Sequence, residues 1–310
     1  MQTFYSNGKL LITGEYVVLD GASSLAIPTR YGQYLKVNPN TTKKISWKSL
    51  DYKDNVWYED EFYLENEKLT PKQTESPISK KLSEILNAVK QLNTDFFKEN
   101  QGFEVESKLS FPRDWGLGSS STLINNIANW ANVDAYELLE QTFGGSGYDI
   151  ACAQHNSPIT YQIIKALNRN INARRTISEV DFNPKFKDCL YFVYLNKKQN
   201  SREGIAHYKK NRFNISNEIS EINDITSKII DCDQLNVFES LIEQHENIIS
   251  NIIKTEPIKR QLFKDFKGSL KSLGAWGGDF VLASSYENPT AYFKAKGFET
   301  IIPFNQMVLK

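Results

Sequence analysis

Four short stretches of the chain combine residue types that could do chemistry together. Gly116-Leu-Gly-Ser-Ser-Ser-Thr122 joins two glycines to a row of hydroxyls. A turn of this kind at the start of a helix exposes backbone N–H groups and the positive end of the helix dipole, and its glycines let a phosphate come close. Ser119, Ser120 and Ser121 could add hydrogen bonds, or one hard-oxygen ligand to Mg²⁺. Gly144-Gly-Ser-Gly-Tyr-Asp149 offers a carboxylate after a flexible turn, where it could accept a hydroxyl proton. Lys9, in Ser6-Asn-Gly-Lys9, would neutralise developing charge if it stood beside an acid and a phosphate. Gly274-Ala-Trp-Gly-Gly-Asp279 clusters glycines before an apolar run, which suits close backbone approach to a neighbouring loop. Singly, each has a plainer reading: a serine-capped helix, an N-cap aspartate, a solvated lysine, an ordinary loop.

The spacing excludes several phosphate and nucleophile motifs. No Gly-Lys-Ser/Thr follows the first stretch, so it is not a Walker A loop, and Ser121 stands where G-x-G-x-x-G needs its last glycine. Ser146-Gly147-Tyr148 does not fit G-x-S-x-G. Asp279-Phe280 is followed by Val281 and there is no His-Arg-Asp loop, which removes the protein-kinase set.

These residues need elements to hold them. Lys9 to Gly21 reads as a β-rich run split by Gly14, with strand language continuing at 24–27 and 33–37 and punctuation at Pro28 and Gly32. Ile45, Trp47, Val56, Trp57, Phe62 and Leu64 mark short hairpin strands, and Trp57 and Tyr58 read as packing. Pro77 opens an amphipathic helix through Leu92. Phe103, Val105, Leu109 and Phe111 share the parity of a half-buried strand that runs into the Gly/Ser turn, and helical spacing follows from Leu123 to Ala131. Short helices are expected over 134–142 and 150–154, and a strand over 159–162. The polar stretch 165–181 is taken as a domain boundary. Beyond it come a strand at 190–195, helices over about 202–230, 234–253 and 257–272, a strand after Asp279, and an edge strand over 300–304. Strands and helices mix without βαβα alternation, which predicts an α+β class in two domains.

The 310 residues carry 37 Lys+Arg against 37 Asp+Glu, leaving no global field to hold a polyanion and arguing against a nucleic-acid binder. Three scattered cysteines and three scattered histidines form neither a disulfide framework nor a zinc site. No window reaches the roughly 18 apolar residues of a membrane span, and the N-terminus lacks the pattern of a signal peptide. A soluble, cytoplasmic protein without a membrane or nucleic-acid partner is expected.

Taken together and in this order, the four stretches resemble the GHMP kinases, named for galactokinase, homoserine, mevalonate and phosphomevalonate kinases. Gly8-Lys9 matches that family's first motif, Pro112 to Ser120 its central Pro-x-x-x-Gly-Leu-Gly-Ser-Ser loop, and Gly274 to Asp279 its third, so the resemblance spans nearly the whole chain. Gly8 to Gly21 and Gly145 to Ala151 look most like the phosphomevalonate kinase branch, with mevalonate kinase close behind. Gly147-Tyr-Asp-Ile-Ala151 is similar to the signature after which a bacterial subgroup, GYDIA, is named.

The resemblance implies a domain over 1–170 like the second domain of ribosomal protein S5, a ferredoxin-like domain over 171–310, and an active site in the cleft between them. It implies ATP and Mg²⁺ as cofactors and a small-molecule phosphoryl acceptor as partner, first of all mevalonate or phosphomevalonate in isoprenoid precursor synthesis. Gly116, Leu117, Gly118, Ser119, Ser120 and Ser121 would cradle the ATP phosphates, Ser120 binding Mg²⁺. Asp149 would be the catalytic carboxylate and Lys9 its partner on the transferring phosphoryl. Glu15 matches an acidic family position, and Glu140 is the candidate for a carboxylate on Mg²⁺. Lys197, Lys198, Arg202, Lys209 and Lys210 could receive an acceptor phosphate, though a charge run is usually a solvated face. Trp276 stands where the family has glycine, and the interval from Ser121 to Asp149 is short. Other readings are a silent ligand and nucleotide sensor, a kinase for a sugar or homoserine, and a decarboxylase. Lys9 and Asp149 argue against the sensor, which needs neither. A homodimer is compatible with the sequence.

Overall fold

The computed structural model describes residues 1–98, 101–164 and 174–309. The elements in chain order are β1 Gln2–Leu11, β2 Ser24–Asn40, β3 Lys44–Leu50, β4 Val56–Glu65, β5 Lys68–Pro71, α1 Pro77–Leu92, β6 Gly102–Leu109, α2 Ser119–Ala131, α3 Ala135–Thr142, α4 Tyr148–Gln154, β7 Ile159–Ile164, β8 Arg174–Glu179, β9 Leu190–Tyr194, α5 Ser201–Asn211, α6 Ser216–Ile230, α7 Leu235–Ile253, α8 Ile258–Leu262, β10 Leu270–Ser272, β11 Phe280–Ser284, α9 Thr290–Ala295, β12 Ile301–Pro303 and α10 Phe304–Met307. The class is α+β, as the sequence predicts. Among the described residues no helix is long and apolar enough to cross a membrane.

The chain folds as two compact units, each assembled from separated segments. The first comprises Met1–Gly8, Tyr31–Arg113 and Leu117–Gln154; the second comprises Lys9–Arg30, Asp114–Gly116 and His155–Lys310. The boundary expected near 170 falls within 165–173, outside the described residues.

In the first unit the strands run in the order β5-β4-β3-β6-β2, with β3 and β6 parallel and the other pairs antiparallel. Helix α1 starts at Pro77, with the Ser76 side chain accepting from the Ser79 N–H, and buries Leu82, Ile85, Leu86 and Val89. They join Leu35, Val37, Trp47, Val105, Ile124 and Ile127 in one core, so α2 is seated on the sheet by the same apolar layer as α1.

In the second unit the other end of β2 pairs with β7, and β7 with β8. A second sheet has the order β10-β11-β9-β12, leaving β12 at an edge as expected. One apolar cluster gathers Tyr16, Val17, Tyr208, Ile222, Ile249 and Trp276; another gathers Val193, Phe263, Phe266, Val281 and Phe293.

Four sequence expectations are corrected. The β run after Gly14 is instead a 3-10 turn, Val17–Asp20, closed by Gly21 in the left-handed region. Strand β2 passes through Pro28 and Gly32 without a break; the Gly32 N–H is accepted by the Ser110 hydroxyl. The helix expected over 202–230 is two helices, broken where Asn214 takes a φ of 46°. The helix expected over 257–272 ends at Leu262, and 270–272 is strand β10, because Leu270, Lys271 and Ser272 pair with Ala283, Leu282 and Val281.

Candidate functional site

The Gly/Ser turn belongs to both units along the chain. Its entry, Asp114–Gly116, is held in the second. The Tyr194 hydroxyl donates to the Asp114 carbonyl at 3.1 Å, and Trp115 meets Phe280 edge to face at 5.4 Å. Gly116 has φ 69°, and a methyl group there would lie 2.4–2.6 Å from the Asp279 carboxylate, so only glycine fits. The Lys9 ammonium donates to the Gly116 carbonyl at 3.0 Å. Lys9, Gly116 and Asp279 are thus brought together within the second unit.

The rest of the turn lies in the first unit. Leu117 is fully buried, and Gly118 (φ 87°) caps α2 without a side-chain hydrogen bond. The first intrahelical bond is made by the Thr122 N–H to the Gly118 carbonyl, so the amides of residues 119–121 precede the helical ladder. The hydroxyls divide by role. Ser121 donates to the Gly118 carbonyl at 2.8 Å, and Thr122 to the Gln33 side chain at 2.7 Å, which spends both on structure. Ser120 is exposed and Ser119 half-buried. The three serines are therefore not equivalent: Ser119 and Ser120 stand toward solvent, and Ser121 locks the turn.

Helix α2 is anchored by a buried polar ladder. Ser6 donates to Asn126 (2.8 Å), Asn125 to Ser6 (2.9 Å), and Asn126 to the Gln33 carbonyl (2.9 Å). Such a ladder fixes the rotation of α2 about its axis, and with it the directions of the first-turn amides. Helix α4 packs on α2, and Gln154 at its end donates to Asn125 at 2.9 Å. Asp149 lies in the first turn of α4, half-buried, rather than capping it. The fold therefore mounts Asp149 and the serine turn on two packed helices of the first unit.

Glu140 is exposed on α3, whose N-cap Asp134 accepts from the Tyr136 and Glu137 N–H groups. Among the described residues no group of three or more His, Cys, Asp or Glu could hold a metal. The donors at hand, exposed hydroxyls and isolated carboxylates, suit a magnesium ion carried mainly by nucleotide phosphates. The turn suits those phosphates in its first-turn amides, which have no side-chain cap.

The third glycine stretch is held inward. The Trp276 side chain is buried with Tyr16, Tyr208 and Ile249, and the Trp276 backbone N–H donates to the Tyr16 hydroxyl at 3.0 Å. Tyr16 stacks on Tyr208, which donates to Asp20 at 2.6 Å. The indole thus fastens the 274–279 loop to the core beneath it.

Two features escape a reading from sequence. Asp279 is buried, with φ 54°. Burial pushes its carboxyl up, against the charges of Lys9 and Lys198 and the Gln199 N–H donating at 3.1 Å, which lower it. Second, Glu15 is buried against Lys271 at 2.7 Å, with Glu246 at 3.5 Å from the same ammonium. His245 accepts the Gly14 N–H on Nε2 at 2.9 Å, and burial holds it well below its usual range, so it is neutral. One lysine faces two carboxyls, and desolvation raises Glu15 and Glu246 to about 7 each. Around neutrality the pair therefore keeps a proton. The sequence marks Glu15 as an acidic position, but nothing in it pairs residues 256 apart.

Comparison with known proteins gives the architecture a precedent. No family model and no curated protein matches the chain. Among solved structures it is similar to the mevalonate kinase of Methanococcus jannaschii, at 15% identity and TM-score 0.70, covering 100% of this chain and 98% of that one. It is also similar to the phosphomevalonate kinase of Streptococcus pneumoniae in complex with phosphomevalonate and AMPPNP, at 15% identity and TM-score 0.69, covering 100% and 98%. A third is the galactokinase of Lactococcus lactis complexed with galactose, at 14% identity and TM-score 0.63, covering 95% of this chain and 88% of that one. The chain has the two-domain α+β fold of the GHMP kinases from end to end.

Proposed function

We propose that the protein is an ATP-dependent phosphotransferase that moves the γ-phosphoryl group of MgATP to a hydroxyl or phosphate of a small metabolite, with mevalonate and phosphomevalonate the first acceptors to test. The observation that carries this reading is the turn itself: Gly116 and Gly118 in left-handed conformations, first-turn amides without a side-chain cap, an outward Ser120, and a carboxylate on the adjoining helix. The full-length likeness to kinases of small metabolites supports it.

Phosphoryl transfer asks little covalent work of a protein; positioning and charge neutralisation supply most of the acceleration. Bound MgATP supplies the activated phosphoryl group. The amides of residues 119–121 and the Ser119 and Ser120 hydroxyls bind and orient the phosphates, and Ser120 is the hydroxyl ligand to magnesium, with Glu140 the carboxylate to test beside it. Asp149 accepts the acceptor's hydroxyl proton as the new O–P bond forms and the bond from Pγ to the ADP oxygen breaks. Lys9, seated on the Gly116 carbonyl, offsets charge on the transferring oxygens. Where the acceptor atom is already a phosphate oxygen, Asp149 orients rather than deprotonates. Solubility in the cytoplasm and a homodimeric state are proposed with this reading.

The test is ADP release by the purified protein with MgATP and, in turn, mevalonate, phosphomevalonate, galactose and homoserine. Turnover with one acceptor and not the others assigns the substrate. Failure to bind MgATP at all overturns the phosphate-turn assignment.

A further inference from the structure

Asp279 is a buried carboxylate that the roles above leave unused. Its backbone is fully engaged: its N–H donates to the Lys197 carbonyl at 2.7 Å, and its own carbonyl accepts from Leu195 at 2.8 Å. It holds φ 54° although Gly277 and Gly278 stand just before it. A non-glycine residue in this region is a cost retained where the surroundings fix it, and such positions gather at functional sites. One carboxylate oxygen accepts the Gln199 N–H at 3.1 Å. The same carboxylate lies against Gly116, whose carbonyl holds the Lys9 ammonium at 3.0 Å. The charged and titratable groups acting on it come from every side: Lys9 from β1, Tyr16 from the turn after β1, Tyr194 from β9, and Lys198 from the segment after β9. A buried negative charge beside a phosphate turn weakens anion binding, so its presence calls for a different use.

We propose that Asp279 is a positioning residue for the transfer: pressed on Gly116, whose carbonyl holds Lys9, its carboxylate fixes the shape of the turn's entry and keeps the Lys9 ammonium charged and aimed at the Gly116 carbonyl. The proposal rests on the phosphotransferase reading. A nearby opposite charge favours the protonated amine, while burial alone disfavours it. Removing the carboxylate therefore lets Lys9 lose its proton at lower pH.

The experiment is titration of Lys9 by NMR of ¹³Cε-lysine-labelled protein, the resonance assigned with Lys9→Arg, in the wild type and in Asp279→Asn. Asparagine adopts the same backbone region and keeps an acceptor for Gln199 while removing the charge. Asp279→Gly, which takes this φ freely, is the second variant should the first fail to fold. The expected result is a downward shift of the Lys9 midpoint, a kcat loss of tenfold or more with nucleotide KM not raised, and a basic limb of the pH–kcat profile that moves with Lys9. An unshifted Lys9 midpoint overturns the proposal whatever the activity. A shifted midpoint with kcat intact overturns the positioning role. Should the wild type turn over no acceptor, the kinase reading is lost on that arm alone, and the titration still decides whether Asp279 governs Lys9.

Discussion

At Gly116 the account of the site meets its strictest steric demand. Gly116→Ala places a methyl group within 2.6 Å of the Asp279 carboxylate and forces φ 69° on an alanine. A loss of roughly 1–3 kcal/mol is expected, read as weaker nucleotide binding in calorimetry with secondary structure retained. Ser121→Ala and Ser120→Ala separate the two kinds of serine. Ser121 donates to the Gly118 carbonyl, so its loss lowers stability by about 1 kcal/mol. Ser120 faces outward, so its loss raises the magnesium concentration needed for half-maximal rate and leaves the melting temperature unchanged. Equal effects in both assays would show that the serines share one role.

At the scale of elements, the buried Glu15–Lys271–Glu246 cluster ties β10 and α7 to the turn after β1. An acid whose folded pKa is raised binds a proton that the unfolded chain releases, so stability falls as pH rises from about 4.5 to about 7. Glu246→Gln removes one carboxyl while keeping a partner for Ser272. Its melting temperature should decline less than that of the wild type across this window; parallel curves would assign the pH dependence elsewhere. Trp276→Ala should cost about 3–5 kcal/mol in urea denaturation, because the indole fills the cluster beneath the loop. What the sequence disclosed at this scale follows from locality. The Gly/Ser turn, the Asp134-capped helix and α1 are legible because capping and 3.6-residue periodicity are encoded within a few residues. Strand β10 is not, because three residues become a strand only by pairing with β11. The 3-10 turn at Val17–Asp20 is hidden because two valines and a leucine read as strand until Gly14 and Gly21 close the chain around them. Lys9, Ser120 and Asp149 could be named from motif order, whereas the contact of Asp279 with Gly116 joins residues that no spacing rule relates.

For the whole molecule, the two compact units interleave in sequence. Lys9–Arg30 lies with His155–Lys310, while Met1–Gly8 lies with Tyr31–Arg113. A fragment ending at residue 170 leaves the Lys9–Arg30 segment without Lys271, His245 and Tyr208, which bury Glu15 and Tyr16. Such a fragment is expected to melt without a cooperative transition in calorimetry; a sharp two-state melt would show that the first 170 residues fold alone. The most direct test of the phosphotransferase reading pairs two measurements on Asp149→Asn: MgATP affinity by calorimetry, and ADP release with the acceptor that the wild type turns over. Affinity within a few-fold of wild type, with kcat reduced by about 10²–10⁴, is the predicted outcome, since the variant keeps the serine turn and loses only the proton acceptor. Wild-type turnover in Asp149→Asn would contradict it.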